Sequence, residues 1–241
     1  MRRRFPVLAA ALALALSGCT PPSDAEIAAD IEKEMLSEPG GKLMVDALRE
    51  EFPEAYRGLM ARAVELAKAN GSEQEAERVS AAYITEFFAS HRDGIARAPE
   101  AEMTDLRKAR LRLLQVHRTQ SAALCANLAD PAVVVADEPG NRQKLAISQF
   151  TAALFRAIGA GEREPLERPA VSANDYAALR EAMLAAGVTT ADFDMIANPA
   201  IFAASGNETK CRLETAIMKA LMKMPDATAN RLMVQIVNGR S

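Results

Sequence analysis

The stretch PEAEMTDLRKARLRLLQVHRTQSAALCANL, Pro99 to Leu128, decides the fold class. Its only proline stands at the first position and it holds no glycine, so nothing inside it breaks a helix. Leu106, Leu113, Val116 and Leu124 recur on one side of a 3.6-residue period, and Leu111 with Leu114 on another. The spacing predicts a long helix from Pro99 to about Leu128. Working backward, Ser72 and Glu75 form a capping box that opens a second long helix reaching about Arg97. Val79, Tyr83, Ile84, Phe87, Phe88 and Ile95 lie on its apolar side. Two long helices joined by a few residues predict an antiparallel hairpin.

The same alphabet of Ala, Leu, Glu, Arg and Met, all strong helix formers, continues in both directions. Ser23 with Glu26 makes another capping box, Ile27, Ile31 and Met35 an apolar stripe, and Pro39–Gly40–Gly41 a stop. Helices are expected over 42–52 and 53–69, with Pro53 in a first turn and Asn70–Gly71 at an end. Asp130 to Gly140 is the clearest break, with two prolines and an isolated VVV read as a buried connector. Beyond it, helices are expected over 141–158, 173–186 (ended by Gly187), 190–197 (capped by Thr190), 208–223 and 226–238. A brief piece starts at Pro199, and GAGEREPLERP, residues 159–169, reads as a polar loop. No internal repeat supports a solenoid. The expectation is therefore an all-α body over 23–241: a single compact domain of nine or ten helices, with a break that could divide lobes 23–129 and 140–241.

The first nineteen residues follow a different plan. Arg2, Arg3 and Arg4 precede an apolar run from Val7 to Leu16, and small residues follow, as in a secretory signal. The run is too short to span a bilayer, which takes about 20 apolar residues. Leu16, Ser17, Gly18 and Cys19 resemble the lipobox of bacterial lipoproteins at every position. That resemblance covers only the export segment. It implies cleavage before Cys19, acyl chains on Cys19, loss of residues 1–18, and a membrane partner reached through lipid. It also implies a periplasm-facing envelope protein, and Thr20, where the sorting pattern uses Asp for inner-membrane retention, favours the outer membrane. An ordinary signal with a small-x-small site is the other reading of the same residues. Residues 19–22 would then be a tether of about 13 Å at most, ending at the Ser23 cap.

Three cysteines in an exported chain leave one odd. With Cys19 acylated, Cys125 and Cys211 become an even pair, and a bridge between them is permitted in an oxidising compartment. Two separately buried thiols are the alternative. The chain carries 29 basic and 32 acidic residues; without the three N-terminal arginines its formal charge moves from −3 to −6. Such a balance argues against nucleic acid and against electrostatic attachment to anionic lipid.

Chemistry-bearing patterns yield little. His91 and His117, the only histidines, would lie roughly 15 Å apart in a hairpin turning near Pro99, too far to share an ion, and read as core or boundary residues. Zinc patterns, nucleophile elbows and paired CxxC motifs are absent, and PGGK at 39–42 lacks the residues of a phosphate loop. Asp192 and Asp194 read as helix-cap chemistry rather than calcium ligands. Arg107, Lys108, Arg110, Arg112 and Arg118 read as a solvated basic side, or one paired with the acidic first helix. The expectation is a non-enzymatic protein without metal or cofactor, acting through an envelope protein partner or as a structural component. A carrier for an apolar ligand or lipid, walled by Phe87, Phe88, Met218 and Met222, is the alternative. An enzyme acting on envelope polymers is the third reading.

Overall fold

A computed structural model describes residues 22–129 and 139–238. Among these residues there are thirteen α-helices and no strand. Packing divides the chain into two compact units, one running to Arg92 and one starting at Asp93. The division falls well before the 130–140 stretch where the sequence places a break between lobes. Cys19 and its neighbours lie outside the described residues, as does the VVV connector.

The N-terminal unit holds α1 (Asp24–Ser37), α2 (Gly41–Glu51), α3 (Pro53–Lys68) and α4 (Glu73–Ser90). The Ser23–Glu26 capping box forms as expected, with the hydroxyl accepting from the Glu26 amide and the carboxylate accepting from Ser23 N–H. Between α1 and α2, Gly40 takes φ +81°, and a Cβ on Gly41 would sit 1.8 Å from the Met35 carbonyl oxygen. Only glycine fits there, so the chain folds back on itself in three residues. Pro53 occupies the first turn of α3 and holds Phe52 out of the helical region, separating α2 from α3. Ile31, Met35, Val45, Leu48, Leu59, Val64 and Phe87 fill the resulting core.

The C-terminal unit contains most of α5 (Arg92–Arg97), then α6 (Glu100–Gln120), α7 (Ala122–Ala129), α8 (Asn141–Arg163) and α9 (Ala173–Ala185). It continues with α10 (Thr190–Ala197), α11 (Pro199–Ala204), α12 (Asn207–Leu221) and α13 (Asp226–Asn238). Helix α6 is its centre, lying against α7, α8, α12 and α13. Met103, Leu106, Leu113 and Leu114 of α6 meet a core completed by Phe155, Ile158, Leu213, Met218 and Leu221.

The excess over nine or ten helices comes from breaks that the apolar period does not register. The expected 99–128 helix ends at Gln120, because Ser121 is extended (φ −155°, ψ 130°). Its hydroxyl accepts from the Ala123 amide and its carbonyl from Cys125 N–H, so it starts α7 as an N-cap. The expected 72–97 helix ends at Ser90, with a turn at His91 before α5.

Residues 159–163 depart in the opposite direction. They continue α8 instead of forming a loop, and Gly159 and Gly161 are buried. At Gly161 a Cβ would lie 2.0 Å from the Gly94 carbonyl oxygen; at Gly94 it would lie 2.9 Å from the Ile158 oxygen. The two glycines let the backbones of α5 and α8 touch. After α8 the chain returns over the end of α5: Leu166 N–H donates to the Arg97 oxygen, and the Arg168 guanidinium donates to the Ala96 (3.0 Å) and Ala98 oxygens. These bonds satisfy carbonyls that the end of a helix leaves without intrahelical donors.

Candidate functional site

The C-terminal unit gathers its buried charge where α6 crosses α12. Arg107, 1% exposed, donates to the Leu221 oxygen (2.9 Å), to Thr104 Oγ1 (3.0 Å) and to the Asp226 carboxylate. One guanidinium therefore holds the last turn of α12 and the acidic first turn of α13. Three residues on, Arg110 donates to Glu214 Oε1 through Nε (3.2 Å) and Nη2 (2.6 Å), and to the Leu128 oxygen (3.2 Å). Glu214 is only 1% exposed. The basic side of this helix is thus not wholly solvated: two of its arginines turn inward to acids more than one hundred residues away in sequence.

Cys125 and Cys211 are bridged, with Cα atoms 5.2 Å apart and neither residue exposed. Cys211 lies three residues before Glu214, so the bridge and the Arg110–Glu214 pair are neighbours on α12. Ser121 makes this geometry available, since its break at the end of α6 redirects α7 toward α12.

Two further acids are held by one repeated device. Ser172 and Asp175 form a capping box at the start of α9, and Arg231 of α13 donates to both Asp175 oxygens, at 3.2 and 2.6 Å. Thr189 and Asp192 form the equivalent box before α10, and Arg212 of α12 donates to Asp192 at 3.1 and 2.5 Å. The cap is Thr189, one residue before the expected Thr190. In each box the arginine's hydrogen bonds, followed by the backbone N–H at the cap, hold the carboxyl well below the usual carboxylate range. Cap chemistry at Asp192 is therefore what the structure contains, while Asp194 is exposed.

The residues proposed as walls of a carrier fall in both units. Phe87 is buried, edge-on to Phe52 (4.8 Å between centroids) and Phe88 (5.6 Å), and stacked on His91 at 4.4 Å. Met218 is fully buried in the α12 core, and Met222, half-buried, closes that helix. The two histidines also belong to different units. His91 joins the aromatic cluster; His117 is 4% exposed, its Nδ1 has no hydrogen-bond partner, and burial lowers its pKa to about 4. Among the described residues no group of three or more His, Cys, Asp or Glu is placed to hold a metal ion. Among the same residues, no helix is long and apolar enough to cross a membrane.

The outer side of the C-terminal unit contrasts with this interior. Helix α9 buries only Asp175 and Met183, α10 only Asp192, and α11 nothing. Tyr176 and Ile201 are each 51% exposed and Leu184 is also exposed. Arg180, between Tyr176 and Leu184 on one face of α9, lies over the Phe193 ring of α10 at 5.0 Å. From Glu181 to Glu208 every charged residue is acidic, and residues 195–207 carry no charge at all. This surface carries no chemistry-bearing motif in sequence. Its only advance signal is that long uncharged run between acids.

Comparison with protein-family models, with curated proteins and with solved structures finds no match to this chain.

Proposed function

We propose that this protein is a lipid-anchored component of a bacterial cell envelope, held through acyl chains on Cys19, whose helical body works by binding another envelope protein. One observation carries the reading: the Cys125–Cys211 bridge uses two of the three cysteines. It leaves Cys19 as the single odd thiol, at the end of a signal-like segment that matches the lipobox. A buried disulfide also fits an oxidising compartment rather than the cytosol. The sorting position Thr20 favours the periplasmic face of the outer membrane. More than one acyl chain makes such anchoring stable, and the acidic body offers no electrostatic alternative.

The test is metabolic labelling with an alkynyl fatty acid in a bacterial host, with membrane fractionation and mass analysis of the mature N-terminus. Wild type should carry label, begin at Cys19 and sediment with membranes. Cys19→Ala should lose label and either stall before cleavage or appear in the soluble fraction. Membrane retention of a fully processed Cys19→Ala protein refutes the proposal.

A further inference from the structure

We infer that the Cys125–Cys211 bridge is installed by a disulfide-carrying protein oxidant before α7 packs against α12, and that Cys211 supplies the sulfur that attacks this oxidant. This chemistry lies beyond both the anchor at Cys19 and the protein-binding reading, and needs neither. Its product is present: the bridge joins residues 86 apart in sequence, and both cysteines are 0% exposed.

Burial sets the order of events. Thiol–disulfide exchange requires a thiolate to reach a sulfur, so access governs its rate. In the folded unit Leu124 and Ala126 on either side of Cys125 are buried, and so are Lys210 and Leu213 next to and just beyond Cys211. A protein oxidant has no approach to either sulfur there, and the exchange belongs to the open chain.

Charge in that open chain selects the attacking sulfur. The thiolate is the nucleophile, and an adjacent Lys or Arg favours it. Cys211 stands in TKCRLE, between Lys210 and Arg212, whereas no residue from Thr119 to Ala129 around Cys125 is charged. Glu208 and Glu214 stand three residues to either side of Cys211. In an extended chain that is roughly 10 Å, about one Debye length at 0.1 M salt, so the adjacent cations outweigh them. Folding then draws both cations elsewhere: Lys210 Nζ donates to the Ala203 oxygen (2.8 Å), and Arg212 donates to Asp192 at 3.1 and 2.5 Å. The surroundings that activate Cys211 exist only before the fold that buries it.

In the first step the Cys211 thiolate attacks one sulfur of the oxidant's disulfide, forming a mixed disulfide and releasing the oxidant's other sulfur as a thiolate. The Cys125 thiolate then attacks the Cys211 sulfur and expels the oxidant. Two cysteine thiols lose two electrons and two protons, and the oxidant takes them up as a dithiol.

The test uses the full chain with Cys19→Ala, which leaves two thiols, and adds Cys125→Ala or Cys211→Ala to leave one. In urea at pH 7 and about 0.1 M salt, each single-thiol chain is treated with hydroxyethyl disulfide, an uncharged probe, and mixed-disulfide formation is followed by mass spectrometry. The Cys211 thiol should react at least about twofold faster than Cys125, since a larger thiolate fraction is only partly offset by lower nucleophilicity. Lys210→Glu with Arg212→Glu should erase or reverse the difference; the chain is unfolded throughout, so folding of the variants does not enter. Equal rates, a faster Cys125, or indifference to the charge reversal overturns the assignment of Cys211. For the order of events, the reduced two-thiol chain is diluted from urea and given the same probe after increasing delays, while amide hydrogen exchange follows protection of α12. Bridge formation should slow by at least about tenfold as protection appears. A reduced chain that never gains protection also places oxidation before packing. A chain with native protection of α12 that still forms the bridge at its open-chain rate overturns that order.

Discussion

Gly161→Ala should destabilise the C-terminal unit although it replaces the second-worst helix former with the best. The added methyl carbon would stand 2.0 Å from the Gly94 carbonyl oxygen, 2.7 Å from the Ala98 amide nitrogen and 2.9 Å from the Gly94 carbonyl carbon. All three are backbone atoms, so none can rotate aside. Carbon–oxygen contacts settle near about 3.3 Å, and α5 must therefore retreat from α8 by roughly 1 Å or more. That retreat strains the bonds that Leu166 and Arg168 make to the end of α5. Helix propensity favours alanine by about 0.5–1 kcal/mol, while forcing a methyl group into a packed crossing costs about 1–3 kcal/mol or more. The expected net loss is up to about 2.5 kcal/mol. Urea unfolding followed by far-UV circular dichroism, with the disulfide intact, measures it. Ala160→Gly, one residue away, calibrates propensity alone at about 0.5–1 kcal/mol lost. Amide hydrogen exchange at Ile95–Ala98 should accelerate in Gly161→Ala. A variant that gains the propensity increment, with exchange in α5 unchanged, refutes the close-contact argument.

Removing Arg110 should be among the costliest single changes, because it takes two hydrogen bonds from the buried Glu214 carboxylate: Arg110→Met is expected to lose about 3–5 kcal/mol. The double variant Arg110→Met/Glu214→Leu should recover much of that, and equal losses in the two would contradict it. His117 imposes a pH dependence. Its pKa of about 4 in the folded chain lies below the ordinary 6.5, so the unfolded chain holds a proton that the folded chain sheds. Stability from this group is complete above about pH 6.5, declines as pH falls toward 4, and levels off below. At about 1.4 kcal/mol per unit the total is on the order of 3 kcal/mol. His117→Leu should flatten urea midpoints between pH 6.5 and 4.5, and an unchanged slope would dismiss the assignment. Asp175 and Asp192 act in a separate window: their contribution is present above the ordinary carboxylate range and is lost only as pH drops beneath it. Replacing Cys125 and Cys211 with alanine opens a loop of about 87 residues, a loss of up to about 4–5 kcal/mol in the chain-entropy view. Because both cysteines are fully buried, dithiothreitol should reduce the native bridge only when urea is added; rapid reduction without urea would argue against that burial.

What the sequence made legible was local. Ser23–Glu26, Pro53 and Gly187 act over three or four residues, and the helix starts and stops they specify are where the chain places them. The all-α class follows from the same local preferences. The Cys125–Cys211 bridge was expected for another reason: the lipobox resemblance set Cys19 aside and left an even pair, with two separate thiols as the alternative, and the bridge is what forms. Ser121 was missed because a polar residue between two apolar-periodic stretches is compatible with helix continuation, and only the hydroxyl bond to Ala123 reveals the cap. The inward turn of Arg107 and Arg110 was missed because a run of basic residues has the same spacing in sequence whether it faces water or distant carboxylates. Gly159 and Gly161 were read as a loop because glycine disfavours helix intrinsically. At Gly161 the cost is outweighed by an approach to α5 that no larger residue permits.

These misses share a cause, and it bears on function. Among the described residues, every buried acid of the C-terminal unit, Asp175, Asp192 and Glu214, is engaged by an arginine from another helix. With Arg107 on Asp226 and the Cys125–Cys211 bridge, these links join α6, α7, α9, α10, α12 and α13. Charge inside the unit is thus committed to joining helices. Substitutions should sort accordingly: changes at Arg110, Arg212 or Gly161 should lower the unfolding midpoint, and changes at the exposed Ile201, Asp194 or Glu208 should leave it unmoved. A surface substitution that lowers the midpoint as much as Arg110→Met would show that α11 belongs to the frame.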